Sequence, residues 1–254
     1  AGGVHRAMSR LPLVPARVGE GYESFIADLA AKLNARVMNN RPVWALFHGS
    51  ANYRDIPHPD CGGLWMEFGV YQGDSINLAA RWRSSRCIME APPLLGFDSF
   101  QGLPEDWRPD IRPMYGGRGA FNLSGQMPRV EPNVRLVKGW FNETLPDTLA
   151  NLTATYGPHL RISYLHVDSD LYSSAAYVLD ALNKYMHAGT VLLFDELINY
   201  PNYRDQALYE WVTKYNRAVY VVGTYGWKWR PAMDVTPKQG RPYESQSVLF
   251  MVAQ

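Results

Sequence analysis

The stretch Trp65-Met-Glu-Phe-Gly-Val-Tyr-Gln-Gly-Asp-Ser75 constrains this chain more than any other. A hydrophobic run suited to a buried strand, Leu64 to Phe68, gives way to Gly69 and Gly73, and a helix is expected from Ser75 to Ala80. Strand, glycine turn and helix in that order predict the ligand-binding turn of a parallel α/β sheet. The pattern is not a dinucleotide fingerprint. In G-x-G-x-x-G the glycines are set tightly so that a pyrophosphate rests on a helix N-terminus, whereas Gly69 and Gly73 stand wider apart and follow Glu67. A carboxylate there suits a cationic, phosphate-free ligand. Because glycine also occurs in such turns for steric reasons alone, the next acid carries weight. Asp98 ends the apolar run Leu94-Leu-Gly-Phe97, at the tip of a second strand, where a ribose diol is gripped in folds of this kind.

With those segments in place the chain resembles the class I S-adenosylmethionine-dependent methyltransferases. Collinear blocks narrow the resemblance to the macrocin O-methyltransferase family of metal-dependent sugar methyltransferases. They are Glu67-Phe-Gly-Val-Tyr-Gln-Gly73 with Ser75, Phe97-Asp-Ser-Phe-Gln-Gly-Leu-Pro104, Gly139-Trp-Phe-Asn-Glu-Thr-Leu-Pro146, His166-Val-Asp-Ser-Asp-Leu-Tyr172 and Phe194-Asp-Glu196. The resemblance covers residues 60–200 or so and leaves the start of the chain out. It implies a Rossmann-like, doubly wound and mainly parallel sheet of seven strands, closed by a C-terminal antiparallel hairpin. It also implies S-adenosylmethionine held by Glu67, Gly69, Gly73, Ser75, Asp98 and Ser99, and a Mg²⁺ ion with Asp168, Asp195 and Glu196 at the ligand positions.

The pattern of elements agrees with that fold class. Val134–Val137, Ile162–Val167 and Val191–Phe194 read as further strands, with helices from about Pro146 to Tyr156 and along the apolar face Leu171, Ala175, Val178, Leu179, Leu182 and Tyr185. Gly189 reads as the stop after that second helix. After a helix around Asp205–Tyr215, Ala218–Val222 and Val248–Val252 look like the closing antiparallel pair. Residues 104–133 are rich in Pro, Gly and Arg without a sustained period and read as a long loop, which in a compact enzyme is often a lid. Tyr22, Phe25, Ile26, Leu29 and Leu33 recur at helical spacing, so an amphipathic helix over residues 20–36 is expected ahead of the main domain. The expected division is therefore an N-terminal helical extension, 1–60, acting as a lid or dimer contact, and a methyltransferase domain, 61–254.

Composition narrows the partners. At 254 residues with 46% hydrophobic and 19% charged content, the chain can bury one sizeable core, and a formal charge of +1 gives no reason to invoke nucleic acid or an anionic membrane. No apolar run is long enough to span a bilayer, and no signal-peptide pattern opens the chain. Cys61 and Cys87 are too few for a disulfide scaffold or a zinc site, so a reducing, cytoplasmic compartment is the expectation. Asn122, Asn142 and Asn151 head Asn-x-Ser/Thr sequons that matter only in a secretory lumen and read as chance. The partner expected is a small hydroxyl-bearing molecule. A homo-oligomer, or a place within a longer polypeptide, is compatible with a chain that opens on Ala1.

The chemistry is expected after the strands ending at Val167 and Phe194. Asp168 and Asp170 follow one, Asp195 and Glu196 the other, and a doubly wound sheet brings all four carboxylates to the ligand-binding edge. They would repel one another, and a hard divalent cation with oxygen ligands resolves that repulsion. The alternative is that they are solvated strand-end acids or helix caps. Family members carry two adjacent aspartates where this chain has Asp195-Glu196, and the extra methylene moves the carboxylate by about 1.5 Å. Methyl transfer to a hydroxyl also needs a group to take the proton. Asp170 is the candidate base, with capping of the following helix as its other role. His166 sits inside an apolar strand and reads as a buried, hydrogen-bonded residue rather than a catalyst. Trp227 and Trp229, in the tract from Tyr220 to Arg230, could present flat faces to a ring. A catechol-type phenolic O-methyltransferase and a non-catalytic S-adenosylmethionine-binding accessory domain are the alternative functions.

Overall fold

The apolar runs pair into one sheet. In the computed structural model, which describes residues 10–16, 19–48, 56–87, 92–107, 116–195, 197, 204–225 and 247–254, the strands are β1 (Leu13–Val14), β2 (Leu64–Phe68), β3 (Leu94–Asp98), β4 (Val134–Lys138), β5 (Ile162–Val167), β6 (Val191–Phe194), β7 (Val219–Tyr225) and β8 (Ser247–Val252). Their order across the sheet is β1-β7-β8-β6-β5-β2-β3-β4. β4, β3, β2, β5 and β6 run parallel, and β8 inserts antiparallel between β6 and β7. The expected seven strands and closing antiparallel pair are all present. An eighth, β1, is added at the edge by pairing Leu13 with Tyr220 and Val14 with Val219; two residues carry too little pattern to be read as a strand.

The alternation of side chains along each strand divides the core in two. Leu64, Met66 and Phe68 of β2, with Leu165 and Val167 of β5 and Leu192 and Phe194 of β6, face one side. There they meet helices α1 (Tyr22–Asn34), α4 (Phe141–Tyr156), α5 (Tyr172–Leu182) and α6 (Arg204–Lys214). Trp65, Tyr164, Val191 and Leu193 face the other side, covered by α2 (Pro42–His48) and α3 (Asp74–Arg86). The helix expected over residues 20–36 is α1. It buries Phe25, Ile26, Leu29 and Leu33 against the chain's own sheet and docks on Tyr209 of α6, whose hydroxyl donates to the Glu20 carbonyl at 2.6 Å.

One result corrects the sequence expectation. Cys61 and Cys87 form a disulfide, joining the approach to β2 with the end of α3. Beside it Arg83, 4% exposed, donates to the carbonyls of Cys61, Gly63 and Pro92 and lies over the Trp65 ring. Burial pushes its guanidinium down to about 10. The long loop is irregular in its described parts, yet 116–131 does not stand free. Ala120 accepts from Leu103 N–H, the Phe100 carbonyl accepts from Leu123 and Gly125, and the Asn77 side chain bonds the backbone of Arg129 and Glu131. Residues 108–115, and Trp227, Trp229 and Arg230, lie outside the described residues.

Candidate active site

The sheet reverses its winding between β2 and β5, since β3 follows β2 on one side while β5 and β6 extend on the other. A crevice opens at the carboxyl ends of strands at such a switch point. It is present here as a cleft of about 830 Å³. Gly69, Gly73, Ser75, Asp98 and Ser99 line it, as do Trp140 to Glu143, and so do Asp168, Asp170 and Asp195. The structure thus brings together every described residue expected to touch ligand except Glu67. Glu196 lies outside the described residues.

The glycine turn is rigid for two different reasons. Gly69 has φ +91°, and a Cβ there would fall 1.8 Å from the Asp168 carbonyl oxygen, so the neighbouring strand end excludes any side chain. Gly73 has φ +88° and precedes α3, but its nearest neighbour would be the Asn77 amide at 3.4 Å; its requirement is backbone conformation. Asp98 locks the turn from β3. Its Oδ2 accepts from the N–H groups of Val70 and Tyr71, both at 2.9 Å, and its Oδ1 from Phe100 N–H at 2.7 Å. An ionised carboxylate offers about four acceptor positions, which leaves one for a ligand hydroxyl.

Glu67 behaves differently from its expected role. It is fully buried and does not line the cleft. Its Oε1 accepts from Ser75 Oγ at 2.8 Å and its Oε2 meets His166 Nδ1 at 2.9 Å. The cation it holds is the chain's own imidazole. The reason lies in register: Glu67 pairs with His166 and His166 with Leu193, so Glu67, His166 and Asp195 project from adjacent strands to the face that carries α2 and α3.

There Asp195 Oδ2 lies 3.7 Å from His166 Nε2 and 3.5 Å from an Arg41 guanidinium nitrogen. Burial acts to lower the basicity of His166, but the Glu67 charge and the contacts with Asp195 and Glu67 outweigh it and raise its pKa to about 10. Burial acts to raise the Asp195 carboxyl, and His166 with Arg41 overcomes it, holding the group well below the usual carboxylate range. Carboxylates on this rim were expected to need an external cation. The fold supplies two cations of its own. Arg41, just ahead of α2, was not singled out in the sequence, because nothing in its local pattern announces a contact with a residue over a hundred and fifty positions away.

Asp168 and Asp195 still offer oxygen ligands to a divalent ion, which His166 can join only after its ring gives up a proton. One ligand atom each from His166, Asp168 and Asp195 lie within 4.8 Å of one another. His166 Nε2 has no hydrogen-bond partner among the described residues. Asp170 faces the same cleft with φ +61°, a left-handed conformation that costs roughly 1–2 kcal/mol in a non-glycine residue. The N-cap of α5 is Leu171, without a side-chain cap bond of its own, and Asp170 stands immediately before it.

A mainly parallel, doubly wound sheet with a ligand turn after β2 and an acid at the end of β3 defines a class I methyltransferase fold. A methyltransferase-domain family model matches residues 66–197, just over half of the chain, and the chain belongs to that family. No curated protein matches the sequence. Among solved structures, CalS11, a calicheamicin methyltransferase, aligns with a TM-score of 0.52 at 22% identity, covering 96% of this chain and 89% of that one. The O-methyltransferase NovP aligns at 0.48 and 19%, covering 76% and 72%. At these identities the likeness is one of fold.

Proposed function

We propose that the protein is an S-adenosylmethionine-dependent O-methyltransferase of the macrocin type. It would methylate a hydroxyl of a sugar or glycosylated small molecule, with a divalent cation, Mg²⁺, at Asp168 and Asp195. The observation that carries this reading is the single cleft shared by the glycine turn with Asp98 and by Asp168, Asp170 and Asp195. CalS11, to which the fold is similar, is a calicheamicin methyltransferase.

S-adenosylmethionine, when bound, supplies a methyl group on a sulfonium, and a divalent cation supplies positive charge that acidifies an acceptor hydroxyl. The chain's residues do the rest. The turn from Gly69 to Gly73 and the free acceptor position of Asp98 fix the ribose end of the cofactor, with Ser99 beside it. Asp168 and Asp195 would hold the cation, and Asp170 would take the proton of the acceptor hydroxyl. Trp44 of α2, with Tyr71 and Phe121, gives the cleft exposed aromatic walls, which suits a ring-bearing acceptor and keeps a flat phenolic diol as the second reading.

The test is calorimetry with S-adenosylhomocysteine against NAD, followed by turnover with vicinal-diol sugars and with catechols, in EDTA and with Mg²⁺ restored. Binding of S-adenosylhomocysteine and EDTA-sensitive turnover of a sugar diol are expected. NAD binding in preference would remove the class; full activity in EDTA would leave a metal-independent methyltransferase; turnover confined to catechols would establish the second reading; cofactor binding with no turnover would leave an accessory domain. The cytoplasmic location expected from composition has its own check. In a reducing cytosol Cys61 and Cys87 are thiols, and alkylation of protein taken directly from its cells reads their state.

A further inference from the structure

We infer that His166 is a positioning residue that ties the cofactor turn to the acidic rim through the string Ser75–Glu67–His166–Asp195. This rests on the methyltransferase reading, since it assigns the two ends of the string to the two halves of that site. The outer ends, Ser75 and Asp195, line the cleft, while the middle, Glu67 and His166, is wholly out of solvent. β2, which carries Glu67, and β6, which leads into Asp195, are separated by β5, so these two carboxylates stand on strands about 9–10 Å apart and need an intermediary to influence each other.

The geometry supplies that intermediary link by link. Ser75 Oγ donates to one Glu67 oxygen at 2.8 Å, which fixes the carboxylate plane. The other oxygen grips His166 Nδ1 at 2.9 Å, which fixes the ring and aims Nε2 at Asp195 Oδ2, 3.7 Å away. A carboxylate that orients an imidazole, which in turn orients a functional group, is a recurring way of holding a ligand-binding atom in place. A purely structural role is poorly matched to these residues. Buried ion pairs are expensive to desolvate, and apolar side chains of similar volume often serve stability as well or better. Neighbouring positions on the same face, Trp65 and Tyr164, show that this layer accepts large rings.

The inference is tested by a double-mutant cycle with S-adenosylhomocysteine as the calorimetric probe, on the intact chain and without an acceptor. Asp195→Asn is expected to weaken binding about three- to tenfold, and His166→Gln by a similar factor. Because both act through one string, the double variant should be no weaker than the worse single variant, within a factor of two. Should His166→Gln fail to fold by circular dichroism, the cycle is run with Ser75→Ala, which removes only a hydroxyl. The same lack of additivity is expected there. Losses that multiply in the double variant, or an Asp195→Asn protein that binds with unchanged affinity, would overturn the coupling. A wild-type protein that does not bind S-adenosylhomocysteine at all would instead overturn the cofactor reading and this inference with it.

Discussion

The two halves of the cleft are built on opposite plans. The cofactor half is local: β2, its glycine turn and α3 are consecutive, and Asp98 satisfies three backbone N–H groups of that turn and of its own loop. The acidic half is assembled at long range. Arg41, His166 and Asp195 come from three distant segments and meet only because β5 and β6 are neighbours with their side chains in phase. A turn whose backbone N–H groups are already satisfied by Asp98 is stiff before any ligand arrives, whereas a rim held by charge pairs depends on which partners are present. The first should break through backbone substitutions, the second through charge.

Gly69→Ala is the most severe break expected. Its Cβ would overlap the Asp168 carbonyl at 1.8 Å, and backbone cannot step aside cheaply, so a stability loss of more than about 4 kcal/mol is expected in chemical denaturation. Gly73→Ala, four residues away in the same turn, provides the contrast. Only its φ of +88° is at stake, so about 1–2 kcal/mol should be lost. Equal losses at the two positions would mean that the closeness of β5 to the turn is not what selects Gly69.

Opening the Cys61–Cys87 bond comes next. It closes a loop with a sequence separation of 26 around the whole cofactor unit, which chain entropy values at roughly 3.5 kcal/mol. Cys61→Ser with Cys87→Ser should lower the melting temperature of the oxidised protein and leave that of reduced protein unchanged. Asp98→Ala should then cost about 3 kcal/mol of stability, from charge-assisted hydrogen bonds lost to the turn, together with at least about tenfold in S-adenosylhomocysteine affinity. An affinity loss without a stability loss would show that Asp98 serves the ligand and not the turn.

The smallest effect is a control outside both halves. Asp180 of α5 holds Lys214 and Tyr215 near α6, and those hydrogen bonds lower its pKa. A carboxyl lowered in the folded state contributes stability present above its unfolded pKa of about 3.9, lost as pH falls through the folded value. The side chain is about half exposed, so screening leaves little of it. Asp180→Asn should shift the melting temperature near neutral pH at the edge of detection, and the difference should vanish in acid.

The same contrast separates what was legible in the sequence from what was not. The strands β2 to β6 fall where their apolar runs place them, and the glycine turn and Asp98 are visible because contiguous residues with fixed spacing carry their own geometry. The methyltransferase family was legible for the same reason, through collinear blocks within the matched region. Glu67 was seen as an acid at the turn and expected to face a cationic ligand, whereas it is buried against the chain's own His166. What the sequence could not show was that the partner is His166, since that depends on β5 lying beside β2 in a register that pairs Glu67 with His166. His166 was read as buried and hydrogen-bonded, and it is; its second neighbour, Asp195, required the placement of β6.

Local order, then, was determined by the chain itself: hydrophobic period, turn glycines and strand-end acids specify elements because they act on residues next to them. The electrostatic character of the rim was decided only by the tertiary structure. Charge interactions act through space, and whether Asp195 faces Arg41 and His166 or solvent is settled by strand order, strand register and the path of the chain ahead of α2, none of which a linear pattern encodes.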